Sequence, residues 1–210
     1  MNFPTTFDAK TTIVPAEKLG EVAIEDAQKL KAQGYEVHYG LTEEFADDIA
    51  KLALEPAIKE FCPNDSSKRF ANRKATAKWL TKKRGTFLLL KRGDDSSLVL
   101  VGYGWVGADS NPHAPGGETT FAIRIGEAGQ GQGLATPFAR IIIFGAAAVY
   151  GATNIWLETW QSNGGAVHVY HKIGFEDVDQ EKAMRLSGDG TRVEDTRLYM
   201  TLSNELLPQV

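Results

Sequence analysis

A glycine-rich segment from Gly129 to Ala135 contains the residues whose types and spacing best suit binding chemistry. It lies between a predicted strand that ends at Ile125 and a predicted helix that begins near Leu134. Glycine permits backbone turns that expose successive N–H groups, and the first turn of a helix adds unpaired N–H donors and the positive end of its dipole. Such a loop can hold a pyrophosphate through its main chain.

The spacing of this loop does not identify its ligand. A nucleoside-triphosphate loop ends in Gly-Lys-Ser/Thr, which the segment lacks. A dinucleotide-binding turn has the pattern Gly-x-Gly-x-x-Gly, but Thr136 stands where its last small residue belongs, and the loop follows an antiparallel hairpin. Both alternatives fit poorly, and the loop by itself is equally compatible with a connection that binds nothing.

The elements that must position this loop follow from the periodicity of the apolar residues. Helical spacing predicts helices over residues 16–33, 42–52, from Pro56 onward, 68–84, 134–150 and 164–172. Alternation predicts strands over residues 35–40, 86–91, 98–106, 119–125, 154–159, 175–178 and 196–202. This order predicts an α/β (α+β) fold with a mixed, mostly antiparallel sheet flanked by helices. We expect a single domain over residues 35–210, preceded by an N-terminal helical extension over residues 1–34.

Composition limits the class of protein. The 210 residues are 42% hydrophobic and 24% charged, as in an ordinary globular domain, and the net charge of -4 argues against non-specific binding to nucleic acid. The longest apolar run, Ile141 to Tyr150, is too short to cross a bilayer. Cys62 is the single cysteine, so no internal disulfide can form. We therefore expect a cytoplasmic protein that binds neither nucleic acid nor membranes.

Two motifs in order resemble the GCN5-related N-acetyltransferase (GNAT) superfamily. The first is Gln130, Gly133 and Ala135, which match the family pattern of Arg or Gln, two residues, Gly, one residue, then Gly or Ala. The second is a strand followed by Asn163, Ala166, Tyr170 and Gly174-Phe175. The resemblance covers residues 35–202 in element order, and residues 119–176 carry the specific motifs.

The resemblance implies acetyl-CoA as co-substrate and no metal. The main chain of Ile123 and Ile125 would pair with the pantetheine arm, and Asn163 would cap its helix and hydrogen-bond that arm. The pyrophosphate would lie against the segment Gln130, Gly131, Gln132, Gly133, Leu134 and Ala135. His168 and His171 flank Tyr170, but no cysteine or carboxylate stands at ligand spacing, so we predict no metal site.

The resemblance also implies roles in catalysis. Tyr170 would act as general acid toward the leaving thiolate, and Glu158, directly or through water, would act as base, with Glu118 as the second candidate. Two other functions stay open, a catalytically silent acyl-CoA-binding module and a nucleotide-binding oxidoreductase. The former would lose proton handling, and the latter would share only the loop.

The acceptor is predicted to be a primary amine on a small molecule or peptide, and a homodimer is compatible with the sequence. Its site would be built by Phe61 to Arg84, Trp105, Trp160 and the Leu186–Thr196 turn. The basic face over residues 68–84 is either a solvated surface or a wall that attracts an acidic acceptor or the cofactor phosphates. Arg124 would meet either an acidic acceptor or a structural carboxylate. Protein N-termini, lysine side chains, polyamines, amino sugars and aminoglycosides all remain as acceptors.

Overall fold

A computed structural model describes residues 1–16 and 19–202 of the chain. Within these residues the strands form one eight-stranded sheet in the order β1-β2-β3-β4-β5-β6-β8-β7, and β5–β6 is its parallel pair. The strands are β1 (Thr12–Ile13), β2 (Tyr35–Tyr39), β3 (Arg84–Arg92), β4 (Leu98–Ala108), β5 (Thr119–Ile125), β6 (Ile155–Trp160), β7 (Phe175–Leu186) and β8 (Arg192–Leu202). The mixed, mostly antiparallel sheet flanked by helices is thus confirmed.

The helices lie on both faces of the sheet. They are α1 (Glu21–Ala32), α2 (Glu43–Leu52), α3 (Pro56–Phe61), α4 (Arg73–Leu80), α5 (Ala135–Tyr150) and α6 (Gly164–Lys172). A short π-helix over Asp65–Arg69 precedes α4, and a 3-10 turn over Glu127–Gly129 precedes the glycine-rich loop. In the described part of the chain, every helix is too short or too polar to cross a bilayer.

Several predicted elements have different bounds in the structure; the strand predicted over residues 196–202, for example, begins at Arg192, and three other differences have an identifiable cause. The helix predicted over residues 16–33 begins only at Glu21, because Gly20 is extended and serves as its N-cap. The helix predicted over residues 68–84 is divided, because Asn72 caps α4 by accepting a hydrogen bond from the Ala75 N–H at 3.0 Å. The strand predicted over residues 175–178 continues to Leu186, since β7 pairs with β8 along its whole length even though its side chains are mostly polar and exposed.

The core divides between the two faces of the sheet, and β3 contributes to both. Phe87 and Leu89 point to the face covered by α1 and α5, whereas Leu88 and Leu90 point to the face covered by α2 and α4. All four side chains are fully buried. Val14, Leu19, Ala23 and Leu30 belong to the α5 side of this core, so the segment before β2 packs on the same sheet.

The feature that shapes the site is the separation of β5 from β6. The two strands pair only at Thr119–Ile155 and Thr120–Trp156 within the described residues. Beyond these pairs, β5 stays on β4 as far as Ile125, while β6 stays on β8 as far as Trp160. The sheet therefore opens in a V, and one edge of β5 faces the gap.

Gly85 provides a test of the packing between β3 and α5. A Cβ placed on Gly85 would lie 2.1 Å from Cε2 of Tyr150, a buried ring that also packs against Phe3, Tyr39 and Phe87. We expect Gly85→Ala to lower the free energy of unfolding by about 1–3 kcal/mol, the usual cost of overpacking. Urea unfolding followed by circular dichroism measures this change.

The matched control is Gly164→Ala in the first turn of α6, where a Cβ would meet no atom within 4 Å. This change should alter the free energy of unfolding by less than about 1 kcal/mol. Equal stabilities for the two variants would contradict the packing described for Tyr150.

Candidate functional site

A cavity of about 960 Å³ opens where β5 and β6 separate. Its lining residues come from α3 and the π-helix, from β3 and β4, and from β5, the glycine-rich loop, β6, α6 and β7. The structure brings most of the predicted site residues together on this cavity: Ile123, Ile125, Gln130, Gly131, Gly133, Leu134, Ala135, Glu158, Asn163 and Tyr170. Gln132 and Glu118 lie outside its lining.

The glycine-rich loop presents a row of unpaired donors. The main-chain N–H groups of the four residues 131–134 make no hydrogen bond within the described chain. Gly131 and Gly133 both have φ of 72°, a left-handed conformation that residues with a side chain seldom adopt. Because the loop also precedes the first turn of α5, it forms a place for a polyanion at a helix N-terminus.

Side chains, not a neighbouring strand, hold the loop and the free edge of β5. Gln130 Nε2 donates to the Ile125 carbonyl at 3.1 Å, and Arg124 Nη1 donates to the Ile123 carbonyl at 2.8 Å. Gln132 is fixed at both ends of its amide, since Nε2 donates to the Ala128 carbonyl at 2.5 Å and Oε1 accepts from the Tyr35 hydroxyl at 2.7 Å. The Gln132 side chain thus fixes the loop from outside the cavity.

Tyr170 is positioned by its helix and by two aromatic rings. Asn163 begins α6 and accepts a hydrogen bond from the Ala166 N–H at 3.4 Å, which confirms the predicted cap. The Tyr170 ring lies 6.2 Å from that of Phe121 and 6.0 Å from that of Phe175.

The Tyr170 side chain is only 5% exposed. Burial raises its pKa to about 12, with Arg124 opposing the rise and Cys62 adding to it. The hydroxyl has no hydrogen-bond partner among the described residues, and its raised pKa keeps it protonated at neutral pH.

The two candidate carboxylates have different surroundings. Glu158 is an exposed residue of β6 on the cavity wall, and its Oε2 lies 3.6 Å from Arg197 Nη1. Glu118 precedes β5 at the far end from the loop, and its carboxylate accepts a hydrogen bond from Asn154 Nδ2 at 3.1 Å. Of the two, Glu158 is the one that shares the cavity with Tyr170.

Arg124 meets a structural carboxylate, the second of the two partners that the sequence left open. Its Nε donates to Asp65 Oδ2 at 2.8 Å, and the Asp65 side chain is fully buried. The guanidinium also lies over the Trp105 ring, 5.1 Å from its centroid. This pair joins β5 to the π-helix across the cavity floor.

The rest of the cavity lining contains two kinds of residue. Some were named in the sequence analysis only as parts of longer segments, and others were not named there. Phe61, Trp105, Trp160 and Leu186 line the cavity as expected. Within the basic stretch, Arg69 and Arg84 line it, whereas the lysines of that stretch lie outside it. Glu60, Asp109, Arg185 and Arg197 were missed, since no local pattern distinguishes them from other surface charges. Among the described residues, no group of three His, Cys, Asp or Glu side chains is arranged to hold a metal ion.

Solved structures with this fold include known acetyltransferases. Spermidine N-acetyltransferase from Vibrio cholerae, in complex with CoA and spermine, is 17% identical with a TM-score of 0.64 over 83% of this chain and 99% of its own. Ribosomal-protein-S5-alanine acetyltransferase from Vibrio fischeri is 14% identical with a TM-score of 0.64 over 83% and 96%. YncA from Salmonella typhimurium, with its cofactor acetyl-CoA, is 14% identical with a TM-score of 0.57 over 81% and 95%. At these identities the likeness establishes the fold.

A search of curated proteins found no significant match. A sequence model of the acetyltransferase (GNAT) domain, however, matches residues 39–176 of the 210, which include the loop, β6 and Tyr170. This match covers more than half of the chain and agrees with the open sheet, so the protein belongs to the GNAT acetyltransferase family.

Proposed function

We propose that the protein transfers the acetyl group of acetyl-CoA to a primary amine by direct attack. One observation carries the proposal: Gly131, Gly133 and Leu134, whose N–H groups are unpaired, line the same cavity as the buried Tyr170, beside the free edge of β5. These are the parts that a pyrophosphate, a pantetheine arm and a leaving thiolate require. The CoA and acetyl-CoA complexes of the solved neighbours support the choice of co-substrate.

The cofactor would lie in the V of the sheet. Its pyrophosphate would accept hydrogen bonds from the N–H groups between Gly131 and Ala135, and its pantetheine arm would run along Ile123 and Ile125 as an added strand. Asn163 would lie beside the arm at the start of α6. A main-chain N–H at or next to Ile125 would donate to the thioester carbonyl and stabilise the oxyanion that forms on attack.

The transfer requires two proton movements. The amine must lose a proton before or during attack, and Glu158 would take it directly or through a water molecule. Attack would form the C–N bond and the oxyanion, and as the carbonyl re-forms the C–S bond would break, with Tyr170 giving its proton to the departing thiolate. Burial suits Tyr170 to this role because it keeps the hydroxyl protonated.

The acceptor proposed here is an amine on a small molecule or peptide. The solved neighbours named as spermidine and S5-alanine acetyltransferases act on amines, which supports this class without selecting a member.

Tyr170→Phe tests the general acid. Loss of the hydroxyl should lower kcat by about a hundredfold or more, since general acid catalysis contributes 10²- to 10⁴-fold. Thermal stabilisation by acetyl-CoA should persist, because the loop is unchanged. Since burial raises the pKa of Tyr170 to about 12, its ionisation should not reduce kcat at any pH well below that value.

Tyr199→Phe is the matched control, because this hydroxyl donates to Glu181 at 2.6 Å and lies outside the cavity. Thiol release from acetyl-CoA with a panel of primary amines measures both variants. An unchanged kcat in Tyr170→Phe would show that another group protonates the thiolate.

Glu158→Gln and Glu118→Gln together test the base. We expect Glu158→Gln to lower kcat/KM by about a hundredfold, whereas Glu118→Gln should stay near the wild-type value because Glu118 lies outside the cavity. The reverse order would assign the base to Glu118. Equal, small effects would indicate that water alone removes the proton.

A thermal-shift comparison separates the other two functions. Stabilisation by NADH and not by acetyl-CoA would favour a nucleotide-binding oxidoreductase. Tight binding of acetyl-CoA without thiol release for any amine would favour a silent acyl-CoA-binding module.

A further inference from the structure

Arginines outnumber carboxylates among the residues that line the cavity. Five arginines line the cavity, against the three carboxylates Glu60, Asp109 and Glu158. The five are Arg69, Arg84, Arg124, Arg185 and Arg197. Four of the five contact a carboxylate, and Arg84 is the exception among the described residues.

Two of the arginines have carboxylate partners of their own. Arg185 lies 2.9 Å from Glu60 and 3.0 Å from Asp195, and Arg197 lies 3.6 Å from Glu158. Two more share a single carboxylate, because Asp65 accepts from Arg124 at 2.8 Å and from Arg69 at 3.2 Å. Arg84 has no carboxylate within 4.0 Å among the described residues.

Arg84 is also held away from bulk water and beside a like charge. Its guanidinium carbon lies 3.8 Å from the centroid of the Trp79 ring, and that of Arg69 lies 4.7 Å from the same centroid. Nη1 of Arg84 donates to the Trp79 and Lys82 carbonyls at 3.2 and 2.9 Å. The Nε atom of Arg84 and the indole nitrogen of Trp79 are buried and have no hydrogen-bond acceptor among the described residues. A partly buried guanidinium that lacks a carboxylate partner is stabilised strongly when it binds an anion.

The position of this pair points to the acceptor, not to the cofactor phosphates. Arg84 pairs with Gly107, and Gly107 pairs with Thr120 at the start of β5, whereas the glycine-rich loop follows the end of β5 at Ile125. At about 3.3 Å per residue, five residues of strand place the arginine roughly 17 Å along the sheet from the end of β5. Tyr170, by contrast, packs on Phe121, which is one residue along β5 from Thr120, the residue level with Arg84.

We propose that Arg84 and Arg69, which both lie over Trp79, bind an anionic group of the acceptor, so that the substrate is an amine that also carries a carboxylate or a phosphate. The inference rests on the proposed acetyl transfer and names its substrate class. A guanidinium binds either anion with two parallel hydrogen bonds. The Trp79 ring, over which both guanidinium groups lie, orients their planes. A polyamine would instead bring positive charge beside Arg69 and Arg84, and would be repelled by them.

Matched acceptor pairs test this directly. The probes are ω-amino acids of two to eight carbons, the n-alkylamines of the same lengths, O-phosphoethanolamine with ethanolamine, and spermidine, in a buffer free of phosphate and sulfate. We expect kcat/KM for the best anionic amine to exceed that for its uncharged partner by at least about tenfold, which corresponds to 1.4 kcal/mol. The carboxylate and phosphate arms show which anion is preferred.

The variants assign the effect to the arginine pair. Arg84→Gln should bring the ratio of kcat/KM for the anionic amine to that for its uncharged partner close to one, mainly by raising KM for the anionic amine. Arg69→Gln should reduce this ratio in part. Arg84→Lys should retain part of it, since the charge stays while the paired hydrogen bonds are lost. Arg73→Gln is the control, because Arg73 is exposed on α4, pairs with Asp47 and lies outside the cavity. A preference that survives in Arg84→Gln would overturn the proposal.

An equilibrium measurement keeps this inference separate from the proposed function. With CoA present, 6-acetamidohexanoate should raise the melting temperature more than N-hexylacetamide does in the wild type and in Arg73→Gln, but not in Arg84→Gln. Equal shifts in the wild type, or thiol release with spermidine as fast as with the anionic amines, would overturn the anion site and leave acetyl transfer intact. Absence of thiol release with every amine, together with the acid-specific shift, would contradict acetyl transfer and leave the anion site intact.

Discussion

The separation of β5 from β6 after two residue pairs is the constraint on which the rest of the site depends. A buried strand edge leaves main-chain donors and acceptors that need partners, because an unpaired buried N–H or carbonyl costs free energy. On β5 the side chains of Gln130 and Arg124 supply donors to the Ile125 and Ile123 carbonyls. The same opening creates the cavity and places the glycine-rich loop at one end of it. A fully paired sheet would have no room for a cofactor arm.

The pair of Arg124 and Asp65 links this open edge to the opposite wall. A buried carboxylate without a partner would be strongly unfavourable, and here two arginines contact it. One of them, Arg124, belongs to β5, and the other, Arg69, lies over Trp79 on the side proposed for the acceptor. The placement of the acceptor wall is therefore coupled to the strand along which the cofactor is proposed to lie. Asp65 contacts both of these arginines, so its single charge cannot neutralise the two.

Local sequence patterns predicted the cofactor side of the fold closely. The strand Thr119–Ile125 and the helix Gly164–Lys172 have the predicted bounds, because each combines a clear period with a distinct end, such as the Asn163 cap. The basic stretch was misjudged, since periodicity continued through Asn72 and concealed the cap that divides it. The strand β7 was underestimated, because its polar side chains gave no alternation and its length is set by pairing with β8.

The sequence by itself determined the order of strands and helices, the glycines of the loop, the cap of α6 and the position of Tyr170 on that helix. Each of these depends on residues near one another in the chain. Tertiary structure decided which charges meet. Asp65 and Arg124 are 59 positions apart, and nothing in their own neighbourhoods indicates that one neutralises the other. It also decided that Glu158 lies on the cavity while Glu118 lies outside it, and that Arg84 has no carboxylate within 4.0 Å in the part of the chain that the structure describes. Charge pairing and burial depend on distances between segments that only the folded chain brings together.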